Sequence, residues 1–278
     1  MTKAIKDACE SFKKHYVLYL VLLFFGIIMV FPFLWMLATS LKPQPEIYSL
    51  SLMPDNPTLS NYARLFDVGR FGRWFFNSLL VALGVTISAV FFDSLVGYVL
   101  CKFDFPFKKV IFVLILATIM IPMEMLVIPW YTMFTNAGIN DSYLGIMLPG
   151  MMTGFGVFLM KQFFTSVPDD LLDAARVDGL DEFRIWLKIA MPMVKPAISA
   201  LAILTFLHNW NTFLWPLIIT TDSSLFTIPV GLSFFSGEYQ TQWQLVMAGA
   251  SFATVPVIAV FLIFQRKIIQ GIQLTGMK

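Results

Sequence analysis

The chain has 278 residues, of which 58% are hydrophobic and 13% charged, and its formal net charge is +2. A soluble domain usually carries about a quarter charged residues, so this composition indicates a protein embedded in lipid. The small net charge gives no support for a nucleic-acid partner. With two histidines and no metal-ligand or nucleotide-binding spacing in the sequence, we expect no enzyme and neither catalytic nor metal-ligating residues.

Six apolar segments are long enough to cross a bilayer, which takes about 20 helical residues. The first contains no Asp, Glu, Lys or Arg and is too long for a cleaved signal peptide, so we expect it to be retained. The predicted spans are 16–41, 74–100, 110–134, 143–160, 197–219 and 243–264. The sequence therefore predicts an all-α integral membrane protein, with residues 1–278 forming a single transmembrane domain.

The distribution of basic residues predicts the orientation, because lysine and arginine concentrate in cytoplasmic loops. Fifteen of the nineteen fall in the N-terminal tail, the loop after the second span, the segment after the fourth span and the C-terminus. The other four, Lys42, Arg64, Arg70 and Arg73, share one loop on the opposite side. Both termini are therefore predicted to be cytoplasmic, as is the segment between the fourth and fifth spans.

That segment, about residues 166–192, is unusually charged for this chain and contains "DDLLDAARVDGLDEFRI" at 169–185. Pro168 suits the start of a helix with Ser166 as its N-cap, and Gly179 suits the left-handed position that ends one. One interpretation is an amphipathic connector lying on the lipid headgroups. The acidic first turn and the paired small residues Ala174 and Ala175 favour instead a helix that docks into another protein.

The heptapeptide "DAARVDG" at 173–179, followed by Pro192 and Pro196, resembles the EAA loop of ABC-importer permease subunits. Asp173 stands where that family commonly has Glu. The stretches "NSLLVALGVTISA" at 77–89 and "IPMEMLVIPWYTMF" at 121–134 are similar to the family's second and third spans. The C-terminal "QRKIIQGIQLTGMK" at 265–278 resembles the carbohydrate-uptake branch, specifically its maltose-permease G-like subunit.

This resemblance implies a six-span, type I ABC-importer transmembrane domain in a bacterial or archaeal cell membrane. In such proteins the EAA helix sits in a cleft of a cytoplasmic ATPase. Ala174, Ala175 and Gly179 would then set the docking depth, and Asp173 and Asp178 would make polar contacts at the ATPase surface. The chain would bind no cofactor itself, since ATP and Mg would be hydrolysed by the separate ATPase.

The same resemblance implies the partners of the chain. They are a second, non-identical permease subunit, an ATPase dimer and an extracytoplasmic solute-binding protein. The loops 42–73 and 220–242 are the candidate contacts for the binding protein.

A candidate substrate path lies in "FLHNWNTFLW" at 206–215. His208, Asn209 and Asn211 offer hydrogen-bonding groups, and Trp210 and Trp215 offer flat apolar faces, a combination that suits sugars. The alternative is that these side chains join helices together, as Asn and His commonly do inside membranes.

Two acidic residues fall within predicted spans, where ionisable groups are costly. Glu124 lies between Pro122 and Pro129 and either lines a cavity or pairs with a basic residue of a partner. For Asp93 we expect a buried hydrogen bond, and the sequence does not indicate what its function is.

The sequence leaves two alternatives to a sugar importer. The chain is then either an importer subunit for another solute, such as an opine, peptide or phosphate ester, or an autonomous secondary transporter. An autonomous carrier needs coupling-ion ligands in broken helices, often in repeated halves. Only Asp93 and Glu124 have suitable side chains, and they lie in no repeated context.

Overall fold

The computed structural model describes residues 2–68, 70–237 and 241–276, with side chains over 15–67, 70–237 and 241–264. Over these ranges the regular structure is helical, apart from an isolated antiparallel bridge between Ser236 and Thr241. The prediction of an all-α fold is confirmed for this part of the chain.

The helices follow one another with short connections. They are α1 (Thr2–Ser40), α2 (Ser60–Val68), α3 (Phe71–Lys102), α4 (Lys108–Ile119), α5 (Met123–Asn136), α6 (Tyr143–Met147), α7 (Gly154–Phe164), α8 (Asp169–Val177), α9 (Glu182–Ile185), α10 (Met191–Met193), α11 (Lys195–Asn211), α12 (Leu214–Ile219), α13 (Ile228–Ser233) and α14 (Trp243–Gly276). Single 3₁₀ turns cover Gln44–Glu46 and Leu148–Gly150, and a π-helical turn covers Trp186–Ala190.

Three of these helices are long and apolar enough to cross a membrane unaided within the described residues: His15–Ser40, Phe71–Lys102 and Trp243–Phe264. They correspond to the first, second and sixth predicted spans. Three bent pairs are further candidates: Lys108–Ile119 with Met123–Asn136, Tyr143–Gly150 with Gly154–Phe164, and Glu182–Met193 with Lys195–Asn211. The described chain therefore supports three to six spans.

The bends fall where the sequence interrupts helical hydrogen bonding. The first pair turns by 101° just before Pro122, which has extended backbone angles (φ −64°, ψ 136°) and disfavours a helical residue before it. The third pair turns by 87° at Val194, between Pro192 and Pro196. The predicted span 197–219 differs from the structure, because α11 ends at Asn211 and α12 begins separately at Leu214.

The chain forms two compact units, Met1–Gly69 with Phe234–Phe252, and Arg70–Ser233 with Ala253–Lys278. In the first unit Lys42 is fully buried and donates hydrogen bonds to the carbonyl oxygens of Ser49 (2.9 Å) and Ser51 (2.7 Å). Phe66 and Phe252 meet edge to face, with ring centroids 5.6 Å apart.

In the second unit α3 is the central element and packs along both α7 and α11. One buried cluster lies around the start of the charged segment and includes Tyr98, Phe164, Leu172 and Trp186. Another lies around Val81, Val85 and Trp215. Both candidate sites described below are attached to α3 through these clusters.

Candidate coupling helix and translocation cavity

The helix α8 begins and ends as its sequence dictates, with one difference. Pro168 is its extended N-cap residue, whereas the hydroxyl of Ser166 donates to the Phe163 carbonyl (2.7 Å), so the predicted Ser166 cap is wrong. Gly179 has φ +81°, and its N–H donates to the Arg176 carbonyl (3.0 Å) while that of Leu180 donates to Ala175 (3.0 Å). This pair of bonds is a Schellman motif, which stops the helix at the glycine.

The two faces of α8 differ in what they contact. Leu172 and Ala175 are 0% and 5% exposed and pack into the cluster that contains Phe164 and Trp186. On the other side Ala174 is exposed, and Val177 is 88% exposed. The expectation that both alanines face a partner is therefore corrected. Ala175 lies on the buried apolar face of α8 and packs against its own chain, whereas Val177 is the exposed apolar residue beside Ala174.

The charged residues of α8 are joined to one another and to the next helix. Arg176 forms ion pairs with Asp173 (2.5 Å) and Glu182 (2.6 Å). The hydrogen bond from Arg176 to Glu182 raises the pKa of the guanidinium above its usual value. Asp173 therefore contacts an arginine of its own chain, whereas Asp178 is exposed as the C-cap residue.

The end of α3 holds the start of α8. The ammonium group of Lys102 donates to the Val167 carbonyl (2.6 Å) and to the Asp169 carboxylate (2.7 Å). This hydrogen bond and the positive charge of Lys102 lower the pKa of Asp169. One turn earlier, the Tyr98 hydroxyl donates to Glu182 (3.3 Å). The helix α8 is thus attached to α3 at its N-terminal end.

A cavity of about 450 Å³ lies in the same unit. Its wall combines two indole rings with hydroxyl, imidazole and amide groups: Val81, Met123, Trp130, Ile146, Pro149, Gly150, Thr153, Phe155, Leu204, Thr205, His208, Asn209, Thr212, Trp215 and Pro216. The rings of Trp130 and Trp215 are 5.7 Å apart, and the Trp215 N–H donates to the Gly145 carbonyl (3.0 Å). The wall therefore offers fixed aromatic surface beside hydrogen-bonding groups.

Three of the predicted path residues, His208, Asn209 and Trp215, line this cavity. Trp210 does not, because it is 3% exposed, donates its N–H to the Ala253 carbonyl (3.1 Å) and stacks on Phe206. Asn211 lies outside the lining and donates to the Leu207 carbonyl (2.7 Å). Glu124 is exposed outside the lining, and its neighbour Met123 contributes instead.

Several lining residues were not singled out from the sequence, namely Thr153, Thr205, Thr212 and Trp130. The α11 positions that line the cavity are spaced by three and four residues, which places them on one helix face. Extending that spacing from His208 and Asn209 finds Thr205 and Thr212. It excludes Trp210, but it does not exclude Asn211, which lies three residues after His208 and yet outside the lining.

Asp93 forms the buried hydrogen bonds expected of it. Its side chain is fully buried, and its carboxylate accepts from the backbone N–H (2.8 Å) and the hydroxyl (2.9 Å) of Thr153. The Thr153 hydroxyl oxygen in turn accepts from the Gly156 N–H (2.9 Å), so it caps α7.

Apolar helices long enough to span a membrane, together with a cavity that has polar groups in its wall, are typical of a helical membrane protein. The family model described as binding-protein-dependent transport system inner membrane component matches residues 93–273. Since this is more than half of the chain, the chain belongs to that family of bacterial inner-membrane transport components.

Relatives that match nearly the whole chain carry the names of permease proteins. The arabinooligosaccharides transport system permease protein AraQ of Bacillus subtilis is 38% identical over 91% of this chain and 92% of its own length. The sn-glycerol-3-phosphate transport system permease protein UgpE of Yersinia enterocolitica is 32% identical over 91% of this chain and 94% of its own length.

Solved structures show the same fold. A crystal structure of a bacterial ABC transporter that imports the acidic polysaccharide alginate matches with a TM-score of 0.79 at 21% identity, over 92% of this chain and 97% of that one. The bacterial alginate transporter in complex with an alginate pentasaccharide-bound periplasmic protein matches with a TM-score of 0.67 at 15% identity, over 93% and 97%. The fold is that of a type I ABC-importer permease.

Proposed function

We propose that this chain forms half of the translocation pore of an ATP-binding-cassette importer for a sugar or related polyol. The observation that carries the proposal is the two-sided helix α8. Leu172 and Ala175 fix it to its own subunit, while Ala174 and Val177 remain exposed for another protein.

A separate ATPase dimer, which hydrolyses ATP with Mg, is the partner of α8. The exposed charges next to Ala174 and Val177 include Asp170 and Asp178, whereas helices that lie on headgroups favour Lys and Arg. This difference supports docking into a protein cleft. Closure of the ATPase dimer would then bias which way the spans face, through Ala174, Val177 and Gly179.

Six spans with both termini in the cytoplasm are consistent with the contacts of α3. Lys102 at the end of α3 bonds to Asp169 at the start of α8, so both ends lie on one side of the membrane. The chain between them must cross an even number of times. We therefore count residues 108–136 and 143–164 as one crossing each, despite their bends of 101° and 46°.

The cavity wall supports an uncharged sugar as the solute. Within the described residues its lining contains no Lys, Arg, Asp or Glu. Trp130 and Trp215 suit the flat apolar faces of sugar rings, and Asn209 and the threonines suit their hydroxyls. A phosphate ester, as in the sn-glycerol-3-phosphate relative, favours a permanent cation such as Lys or Arg, which this lining lacks within the described residues.

The complete importer would contain a second, non-identical permease subunit and an extracytoplasmic solute-binding protein. The loops 42–73 and 220–242 are the proposed contacts of the binding protein, although residues 238–240 lie outside the described part of the chain. The name of the family supports dependence on a binding protein.

The neighbouring alanines provide a direct test of docking. Ala174→Cys should form a disulfide or short bifunctional cross-link to the ATPase in membranes, because Ala174 is exposed. Ala175→Cys, which is 5% exposed in the unsubstituted chain, is the matched control and should react far less. Equal reaction at both positions, or none at either, would overturn the docking role.

Reconstitution tests the solute and the energy source. Liposomes containing both permeases and the ATPase should take up an arabino-oligosaccharide only with ATP and the binding protein. Uptake by this chain alone would establish the autonomous-carrier alternative. Uptake of sn-glycerol 3-phosphate instead of the sugar would overturn the assignment of an uncharged solute.

A further inference from the structure

The helix α3 and the chain segment 150–169 lie side by side in the same direction. A Cβ atom at Gly150 would meet Val85, and the Ser88 hydroxyl donates to the Met151 carbonyl (3.0 Å). Further along, a Cβ at Gly97 would lie 2.8 Å from the Met160 Cβ. The two segments therefore contact each other at successive matching positions, from the cavity to α8.

Two polar attachments hold the ends of this contact. At one end Asp93 accepts two hydrogen bonds from Thr153, which lines the cavity. At the other end Lys102 donates to the Val167 carbonyl and to Asp169, the first residue of α8. A displacement of α8 would therefore act on both α3 and α7.

At Asp93 the helices α3 and α7 are in close contact, which opposes sliding of one helix along the other. A Cβ atom at Gly156 would overlap the Asp93 carboxylate, so α7 approaches α3 at this point as closely as a glycine permits. The carboxylate also lies at the N-terminal end of α7, where the helix dipole favours negative charge. The Asp93 side chain is therefore the polar contact that holds the first turn of α7 on α3.

We propose that Asp93 is a positioning residue for transport, which holds the first turn of α7 on α3 so that the cavity wall moves together with the coupling helix. The carboxylate does not touch the solute. It acts through Thr153, whose neighbours Gly150 and Phe155 also line the cavity. This inference rests on the proposed function, since it requires a partner that moves α8.

The test follows the cavity wall directly and needs no identified solute. Thr212 lines the cavity and is replaced by Cys in a chain whose own two cysteines are changed to Ser. The complete importer in proteoliposomes is labelled with a membrane-impermeant maleimide, with and without trapping by ATP and vanadate. In the otherwise unsubstituted chain, trapping should change the labelling rate about tenfold, as expected when one conformation replaces another.

Asp93→Ala should reduce this nucleotide-dependent change to less than about twofold, because the coupling between the two sites is lost. Asp93→Asn keeps an acceptor for Thr153 and should retain the change. The matched control is Ser94→Ala, which removes a buried hydroxyl one residue away that bonds only to carbonyls of α3 itself. It should behave like the unsubstituted chain.

Assembly is measured separately by the cross-link from Ala174→Cys to the ATPase. A structural role for Asp93 would reduce this cross-link and the labelling change in parallel, whereas a positioning role leaves the cross-link intact. If Asp93→Ala does not assemble, Thr153→Val, which removes the hydroxyl at nearly constant volume, decides the question. Failure of both to assemble, or a full labelling change in either, would overturn the inference.

The failure of the proposed function gives a different pattern. In that case the chain with native Asp93 shows no nucleotide-dependent labelling and no cross-link to the ATPase. Loss of the labelling change in Asp93→Ala alone, with the cross-link retained, supports the inference.

Discussion

The ammonium group of Lys102 lies 2.7 Å from the carboxylate of Asp169, yet the two side chains have different surroundings. The Lys102 side chain is 6% exposed, whereas that of Asp169 is 73% exposed. The ammonium group also donates to the Val167 carbonyl (2.6 Å). The lysine is therefore the partner on which this attachment depends.

Lys102→Met should destabilise the subunit more than Asp169→Asn does. Methionine leaves the Val167 carbonyl without its lysine donor, which for a buried acceptor costs about 1–3 kcal/mol. Asp169→Asn removes only an exposed ion pair, and such pairs contribute little. Thermal unfolding of the purified complex in detergent measures both variants. Equal losses would show that the ion pair, rather than the carbonyl contact, holds α8.

Gly179→Val should abolish uptake without preventing membrane insertion. Gly179 has φ +81°, a conformation that β-branched residues rarely adopt, so the Schellman motif that ends α8 is lost. Gly138→Val is a matched control, because Gly138 has φ +68° and no neighbouring atom within 4 Å of an added Cβ. It also lies outside the charged segment at residues 166–192.

Both glycine variants carry the same backbone penalty, and Gly179→Asn, which tolerates the left-handed region, should regain uptake. Uptake assays and membrane fractionation distinguish the outcomes. Normal uptake in Gly179→Val, or equal loss in Gly138→Val, would argue against a specific role of this helix end.

Asn209→Leu should impair uptake about tenfold, a loss of about 1.4 kcal/mol of binding free energy, because Asn209 lines the cavity. Asn211→Leu should have little effect. The two asparagines make similar hydrogen bonds, to the Thr205 carbonyl (2.9 Å) and the Leu207 carbonyl (2.7 Å), but the first bond is partly buried and the second is exposed. Concentration dependence of uptake measures the difference, and reduced assembly of both variants instead would support the helix-joining interpretation.

The loop that contains Asp141 should stay hydrogen-bonded to Thr221 and Asp222 down to about pH 4, which is near the pKa of an unperturbed Asp. Asp141 accepts hydrogen bonds from the Thr221 hydroxyl (2.6 Å) and from the N–H groups of Thr221 and Asp222. These bonds lower the pKa of Asp141, and the hydrogen bond from the Thr221 side chain has the largest effect. The stabilisation is therefore complete above the unfolded pKa and is lost as the pH falls through the lower folded pKa.

Hydrogen exchange of the Thr221 and Asp222 amides, corrected for intrinsic rates, should show equal protection at pH 5 and pH 7. Asp141→Asn is the control, because asparagine keeps an acceptor and tolerates φ +46° but carries no charge. It should lower the protection at both pH values. Protection that already falls between pH 7 and pH 5 would contradict the assignment.

Local signals predicted the C-terminal end of α8 but not its N-cap. Gly179 stops α8 as expected, because a left-handed residue at that position depends only on nearby backbone. Which alanine faces outward depends on distant residues, Phe164 and Trp186 among them, and the sequence does not order Ala174 and Ala175. The sequence favours a helix that docks, which stays a prediction, whereas the exposed face of that helix is a tertiary property.

The same distinction applies to the spans and the cavity. Hydropathy found α1 and α3, but the break at Thr212–Phe213 lies inside an apolar run and leaves no charge signal. Trp210 was expected in the path because its indole ring offers a flat apolar face beside polar neighbours. A helix separates neighbours by about 100°, so Trp210 turns toward Ala253 while Asn209 turns toward the cavity.

The paired course of α3 and the segment 150–169 has a consequence for how such chains can vary in length. One residue inserted between Asp93 and Lys102 would rotate Lys102 by about 100° and shift it by about 1.5 Å, away from Asp169. An insertion within α7 would likewise rotate the residues that follow it relative to α3. Natural variants of this protein should therefore gain and lose residues in the connections around them, and keep these two stretches at constant length.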